Sequence, residues 1–190
     1  MKIVFLGNPN VSVSILSSLL KTENDIVGVV SNSPKISGRG LKKRYTPLGL
    51  YAINEKLKLL CLSSFKDEKF YRALKKLNPD LFIVVAFKII PQKFLNIPKF
   101  GAINLHASLL PYYRGASPIQ YALLNGDKKT GVTTFIMDDK IDNGKIIMQK
   151  EFKINDSDNY ESLIRKVESH GSNLVIKTID NIANNTKYQE

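Results

Sequence analysis

Residues 81–87 read LFIVVAF, the most apolar run in the chain. A run of this kind is typical of a parallel strand that is buried on both faces. We therefore predict that it forms the central strand of a sheet. The fold class depends on this stretch, because a strand covered on both faces requires helices on both sides of its sheet.

Shorter apolar runs before this stretch alternate with helical patterns. They predict strands at 2–6, 26–30 and 57–62, and helices at 11–21, 47–56 and 67–77. Beyond it, the pattern predicts strands at 102–106, 132–137 and 145–152, and a helix at 160–182. This order indicates an α/β fold, a Rossmann-like, doubly wound and mostly parallel sheet with helices on both faces.

The composition is that of a globular protein. A chain of 190 residues can bury its own core, and 43% hydrophobic with 24% charged residues argues against disorder. Cys61 is the only cysteine and is expected in the core; disulfides and a zinc site of several thiolates are excluded. The chain has no apolar run of membrane-spanning length and no signal-peptide pattern, so a cytoplasmic location is expected.

Positive charge is concentrated in one segment. The 28 Lys and Arg residues outnumber 17 Asp and Glu, and the net charge of +11 suggests an anionic partner. Segment 31–47, SNSPKISGRGLKKRYTP, contains no acid and is predicted to be an exposed loop. Such a block of cations suits a phosphate backbone, although charge runs usually only solvate a loop. Its cations are Lys35, Arg39, Lys42, Lys43 and Arg44.

Residues 101–120, GAINLHASLLPYYRGASPIQ, contain the first candidates for chemistry. Asn104 and His106 are two positions apart in a predicted strand, so both project from one face at its carboxyl end, where open α/β sheets bind ligands. The amide can donate to a developing oxyanion, and the imidazole can donate to the same oxygen or move a proton. An isolated pair of this kind is more often a polar cap of a strand.

Two further segments supply neighbouring groups. In 137–144, MDDKIDNG, Asp142 precedes an Asn-Gly turn dipeptide. A carboxylate near His106 would favour its protonated form and give the proton a destination. Asp138 and Asp139 compete for this role, and alone Asp142 is more simply a turn residue. The loop 108–115, SLLPYYRG, could hold a flat heterocycle or serve only as a crossover.

Taken together, these segments resemble the folate-dependent formyltransferases. The likeness is carried by NLHASLLPYYRGASPI at 104–119, GVT at 131–133, IDNGKII at 141–147, LGNP at 6–9, GRGLKK at 38–43 and VVAFKIIP at 84–91. It covers essentially the whole chain. Within the family it is strongest to the members that formylate methionyl-tRNA.

The resemblance implies transfer of the formyl group of 10-formyltetrahydrofolate to the methionyl amine of initiator Met-tRNA, through a tetrahedral intermediate and without a metal. Asn104 and His106 would stabilise the oxyanion, while Asp142 would orient and charge His106 and help to remove the amine proton. The implied folate-binding residues are Phe87, Lys88, Ile89, Ile90, Ser108, Leu109, Leu110, Pro111 and Asp138. The implied tRNA-binding residues are Lys35, Arg39, Lys42, Lys43, Arg44 and Arg114.

The chain departs from the family pattern in three respects. Lys88 stands where glycine is common, and Asp-Asn-Gly at 142–144 replaces Asp-Thr-Gly. Residues 1–183 are expected to form the catalytic domain and 184–190 a tail or truncated linker, with the family's C-terminal β-barrel absent. The protein is expected to be a monomer that contacts no membrane.

Two other functions remain open at this stage. A sugar-nucleotide N-formyltransferase would use the same three residues, although the basic loop favours tRNA. A degenerate folate- or RNA-binding module would not need all three. A glycinamide ribonucleotide transformylase is disfavoured, because a Gly/Ser-rich phosphate loop is missing after the first strand.

Overall fold

The computed structural model describes residues 1–37, 42–138 and 140–184. The strands are β1 (Lys2–Gly7), β2 (Asp25–Asn32), β3 (Lys35–Ser37), β4 (Lys42–Arg44), β5 (Leu59–Leu62), β6 (Leu81–Val85), β7 (Ala102–His106), β8 (Lys129–Ile136) and β9 (Ile146–Lys153). The helices are α1 (Asn10–Leu19), α2 (Pro47–Asn54), α3 (Glu68–Lys76), α4 (Gln92–Leu95), α5 (Pro118–Leu124) and α6 (Tyr160–Asn184). The predicted positions of Arg39 and Asp139 lie outside the described residues, as do residues 185–190.

One seven-stranded sheet organises the molecule, in the order β5-β2-β1-β6-β7-β8-β9. The first five strands in this order are parallel to one another. Strand β8 runs antiparallel to β7, and β9 runs antiparallel to β8, so that β8 alone opposes the other six strands. The strand β6 is the fourth of seven, as the LFIVVAF run predicts. The direction of winding reverses between β1 and β6, the kind of position where open α/β sheets form their ligand crevice.

The core has two layers, because the central strands are covered on both faces. Along β1, Ile3 and Phe5 pack on one side, and Val4 and Leu6 pack on the other. Helices α1, α2, α5 and α6 cover the first side, while α3 and α4 cover the second. This arrangement confirms the predicted doubly wound fold, in which apolar burial on both faces provides most of the driving force.

The long helix α6 packs closely beneath the sheet. A β-carbon at Gly171 would lie 2.7 Å from a methyl carbon of Leu105, so glycine permits this approach without a shift of the Leu105 side chain. Next to it, the Ser18 hydroxyl of α1 donates a hydrogen bond to Ser172 at 3.1 Å. Small residues therefore bring α6 against β7, the strand that carries Asn104 and His106.

The structure corrects several predicted bounds. The predicted loop 31–47 contains a two-stranded antiparallel hairpin, β3–β4. The apolar strand ends at Val85 instead of Phe87, since Ala86 takes a left-handed backbone with φ of 49°. Helices α4 and α5 were not predicted, although Pro118 at the first turn of α5 is a recognised start signal.

Candidate active site

A large cavity lies at the carboxyl ends of the parallel strands, beside the reversal between β1 and β6. Its volume is about 1000 Å³, and its walls are mostly apolar. The segment 84–90 after β6 forms one wall, and α6 contributes Tyr160, Ile164 and Val167 to another. A cavity of this size accommodates an extended ligand of several rings, together with a second reactant.

Asn104, His106 and Asp142 lie together at this cavity. The Asn104 amide Nδ2 donates to Asp142 Oδ1 at 3.4 Å, and His106 Nδ1 lies 3.5 Å from Asp142 Oδ2. Ala102 of β7 faces the α3 and α4 side of the sheet, so the alternation along β7 places Asn104 and His106 on that same face. His106 is 7% exposed, which brings imidazole and carboxylate into a largely dry environment.

The His106 ring is oriented by a backbone carbonyl. Its Nε2 lies 2.8 Å from the carbonyl oxygen of Tyr113. Since a carbonyl can only accept, Nε2 carries a hydrogen and donates it. The other nitrogen, Nδ1, is therefore the one that faces Asp142 and the cavity.

Asp142 is held by a short hydrogen bond from the backbone. The Gly115 N–H donates to Asp142 Oδ2 at 2.8 Å, whereas the contacts with Asn104 and His106 are longer. Asp142 itself adopts a left-handed backbone with φ of 47°, which aspartate tolerates better than most residues. The side chain of Asp138 instead accepts from the Lys140 N–H at 2.9 Å. Of these two carboxylates, Asp142 is the one that contacts the imidazole.

The loop that carries Asp142 folds back over the sheet. Because β8 runs antiparallel to β7, it ends beside Ile103, away from the His106 end of that strand. The loop returns along the sheet face and closes through the Ile136 N–H, which donates to the Lys145 carbonyl at 2.9 Å. A β-carbon at Gly144 would overlap the Ile136 carbonyl oxygen. Glycine is thus required here by close backbone approach, while the left-handed residue of the turn is Asp142.

We expect Gly144→Ala to displace this loop. The added methyl group cannot be accommodated beside Ile136, so the free energy of unfolding should fall by about 1–3 kcal/mol. Chemical denaturation would measure this loss. The neighbouring Asn143→Ala, at an exposed position, is the matched control and should leave stability within about 0.5 kcal/mol. Equal stability of the two variants would contradict the close approach.

The predicted folate-binding residues fall into two groups. Phe87, Lys88, Ile89, Ile90 and Asp138 line the cavity. The Lys88 side chain is exposed, and its ammonium lies 5.6 Å from the ring centroid of Phe65 and 5.9 Å from that of Phe87. The cation thus rests against aromatic rings at the rim, and the backbone of the segment stays accessible.

The second group, Ser108, Leu109, Leu110 and Pro111, is not part of the cavity lining. The Ser108 hydroxyl donates to the Tyr112 carbonyl at 2.6 Å, and the Leu110 N–H donates to Thr133 Oγ1 at 3.1 Å. The Gln149 amide donates to the Leu110 carbonyl at 2.8 Å. This loop is therefore tied to β8 and β9 by hydrogen bonds.

The cations predicted to bind tRNA lie on exposed surface where they are described. Lys35, Lys43 and Arg44 are exposed on the β3–β4 hairpin, and Arg114 is exposed in the loop after β7. Lys42 belongs to β4, but its side chain is not described. No ion pair involving Lys35, Lys43, Arg44 or Arg114 occurs within the described ranges.

Backbone conformation is the feature of this site that the sequence did not reveal. Four residues other than glycine take positive φ in the cavity lining or in the loop after β7: Ala86 (49°), Tyr113 (55°), Ser117 (63°) and Asp142 (47°). Such residues cluster at functional sites because surrounding contacts must hold them. Nothing in their local sequence signals this conformation, except that Asp142 lies in a turn.

Comparison with known proteins agrees with this geometry. The family model described as formyl transferase matches residues 1–179. The chain therefore belongs to the formyl transferase family.

Among curated relatives, the chain is similar to two bacterial methionyl-tRNA formyltransferases. The protein from Flavobacterium psychrophilum is 47% identical over 184 residues, 96% of this chain. That from Thermodesulfovibrio yellowstonii is 48% identical over 179 residues, 94% of this chain. The chain spans 58% of the length of each of these relatives.

Solved structures share the fold. A phosphoribosylglycinamide formyltransferase from Bacillus halodurans superposes with a TM-score of 0.80 at 18% identity, covering 100% of both chains. An N-formyltransferase from Helicobacter canadensis, solved with folinic acid and dTDP-3-aminofucose, gives a TM-score of 0.71 at 27% identity. The match covers 98% of this chain and 65% of the Helicobacter chain.

The described residues contain neither a cluster of metal-ligating side chains nor a membrane-spanning helix. No group of three or more His, Cys, Asp or Glu side chains in residues 1–37, 42–138 and 140–184 is placed to hold a metal ion. Over the same ranges, every helix is too short or too polar to cross a membrane.

Proposed function

We propose that the chain carries the catalytic unit of a methionyl-tRNA formyltransferase. It would transfer the formyl group of 10-formyltetrahydrofolate to the amine of methionine on initiator tRNA, in the cytoplasm. The observation that carries the proposal is the convergence of Asn104, His106 and Asp142 on one large cavity, in a chain of the formyl transferase family. The relatives at 47% and 48% identity support the choice of acceptor.

The apolar cavity fits a folate donor. The exposed Ile89 and the buried Ile90 offer apolar surface to flat rings, and the backbone of 86–90 offers polar groups at a loop edge. When bound, the donor supplies a formyl carbon that the methionyl amine attacks, so that negative charge gathers on the formyl oxygen.

Asn104 and His106 would stabilise that oxygen. Their contacts with Asp142, at 3.4 and 3.5 Å, are long, so both donors can turn toward a nearer acceptor at little cost. Since Nε2–H of His106 donates to the Tyr113 carbonyl, Nδ1 is the nitrogen that faces the formyl oxygen, and it donates only when the ring carries a second proton as the imidazolium. Preorganised donors in a site with little water contribute most when charge develops in the transition state.

Asp142 would neutralise the imidazolium and receive the proton that the amine loses. The proton balance closes when that proton reaches the folate nitrogen, which departs as the carbon–nitrogen bond to the formyl group breaks. The Gly115 N–H keeps one carboxylate oxygen in place throughout. The reaction requires only proton transfers and charge stabilisation, which these three side chains can supply.

A sugar-nucleotide amine is the second candidate acceptor. The Helicobacter canadensis protein, solved with dTDP-3-aminofucose, motivates this alternative. The exposed Lys35, Lys43 and Arg44 favour tRNA, because a cluster of cations that forms no ion pair within the described part of the chain suits a long phosphate backbone.

A parallel assay of the two candidate acceptors tests the proposal. The chain is incubated with 10-formyltetrahydrofolate and either Met-tRNA or a dTDP-amino sugar, with His106→Ala as the inactive control. We expect formyl transfer to Met-tRNA alone. Transfer to the sugar alone, or to neither acceptor while the donor binds, would contradict the proposal.

The hairpin gives a separate prediction. If its cations contact phosphates, the triple variant Lys35→Gln, Lys43→Gln and Arg44→Gln should raise KM for Met-tRNA. It should also reduce the slope of log KM plotted against log salt concentration by about 2–3. Steady-state kinetics at several salt concentrations would measure both effects.

A variant with the same charge change is the control. Arg72, Lys75 and Lys76 are exposed on α3, whose carboxyl end leads toward the amino end of β6, opposite the cavity. Replacing these three by glutamine should leave the salt dependence unchanged. Equal effects of the two triple variants would show that only net charge matters.

A further inference from the structure

The loop after β7 contains a tyrosine in an unusual conformation. Tyr113 has φ of 55°, in the left-handed region that bulky residues rarely adopt. Its carbonyl oxygen is the acceptor for His106 Nε2–H. A change of the backbone at Tyr113 would therefore move the carbonyl that holds Nε2–H of the imidazole.

The side chain of Tyr113 is anchored outside the cavity. Its hydroxyl donates to Asp127 Oδ2 at 2.6 Å and accepts from Asn125 Nδ2 at 2.9 Å. Its ring stacks on Tyr121, with centroids 6.5 Å apart and planes at 6°. The hydrogen bond to Asp127 raises the pKa of Tyr113, so that the phenol keeps its proton and remains a donor.

Other contacts hold the preceding part of the loop. The Leu110 N–H donates to Thr133 Oγ1 of β8, and the Gln149 amide of β9 donates to the Leu110 carbonyl. What the phenol adds is a restraint on the backbone of Tyr113. A strained conformation persists only where the surrounding contacts hold it.

We propose that Tyr113 is a positioning residue for His106, with Asp127 and Asn125 as its anchor. The fixed phenol keeps the left-handed backbone in place, the carbonyl holds Nε2–H, and Nδ1 is thereby aimed at Asp142 and the cavity. Tyr113 does not contact the cavity itself, so it acts through His106. Its effect on turnover rests on the proposed function, whereas its effect on the imidazole does not.

Nuclear magnetic resonance tests the geometry without any substrate. The chain has two histidines, so the His106 ring signals are assigned by their loss in His106→Gln. The exchange rate of Nε2–H with water is then compared among variants. We expect Tyr113→Phe and Asp127→Ala to accelerate it by about tenfold, as for the loss of one hydrogen bond.

Two matched variants distinguish faster exchange of His106 Nε2–H from a general increase in the motion of the loop. Tyr121→Phe removes a neighbouring hydroxyl while keeping the stacked ring, and Asp127→Asn keeps an acceptor within reach of Tyr113. Both should retain slow exchange. Unchanged exchange in Tyr113→Phe, or equal acceleration in Tyr121→Phe, would overturn the proposal.

Steady-state kinetics then test whether the position of the imidazole affects turnover. Tyr113→Phe should lower kcat by about tenfold and leave KM for the donor unchanged. In a His106→Gln background the same change should have no further effect on the residual rate. A full effect in that background would overturn the positioning role. Accelerated exchange in a protein whose parent transfers no formyl group would instead contradict the proposed function and support the geometry.

Discussion

Replacing Asn104 by alanine should lower kcat by about 10²–10³-fold, the cost typical of losing one oxyanion donor. The amide lies beside His106 on β7 and faces the cavity, where its Nδ2 makes only a long contact with Asp142. Since that contact is weak, the loss should fall on turnover and leave folding and KM for the donor nearly unchanged. Single-turnover kinetics with saturating donor would measure it.

An isosteric variant tests whether the lost activity comes from the lost hydrogen-bond donor. Asn104→Asp keeps the size of the side chain but replaces the donor by an acceptor. It should be at least as inactive as Asn104→Ala. Activity near that of the parent in either variant would rule out the oxyanion role.

Asp142→Asn should lower kcat by a similar factor, about 10²–10³-fold, because it removes the charge that balances the imidazolium. Asparagine tolerates the left-handed backbone at this turn, and its amide oxygen can still accept from the Gly115 N–H. The variant therefore removes the negative charge of Asp142 while keeping the backbone of the turn and the hydrogen bond from the Gly115 N–H. Its melting temperature should remain close to that of the parent.

Asp138 offers the matched control on the same loop. It also lines the cavity, but its carboxylate accepts from the Lys140 N–H and forms no hydrogen bond or ion pair with His106. Asp138→Asn should therefore change kcat much less than Asp142→Asn. Equal losses would mean that the negative charge of the loop matters more than its position beside the imidazole.

The parallel part of the fold could be predicted because burial on both faces leaves a direct trace in the sequence. LFIVVAF has no polar positions, which is typical of the centre of a sheet covered on both faces, and its first five residues form the buried strand β6. Periodicity of two also placed Asn104 and His106 on one face of β7. Strand order left no comparable trace: Cys61, expected in the core, is exposed because β5 is an edge strand.

The polar framework of the site could not be predicted. The choice between Asp138 and Asp142 depends on how a loop folds back over the sheet, and spacing along the chain does not encode that path. The left-handed backbone at Ala86 and Tyr113 has no local sequence signal, and the side chain of Tyr113 is held by Asp127 and Asn125, more than ten residues away. The β3–β4 hairpin was missed because its short polar strands lack the alternation that marks a half-buried strand.

The three candidate catalytic groups differ in how they are attached to the scaffold. The amide and the imidazole belong to a strand in the middle of the sheet, whereas the acid belongs to a surface connection. An insertion or deletion in that connection would move the acid and leave the other two in register. Relatives that change reaction, or lose it, are therefore expected to diverge first in the length of the segment between β8 and β9.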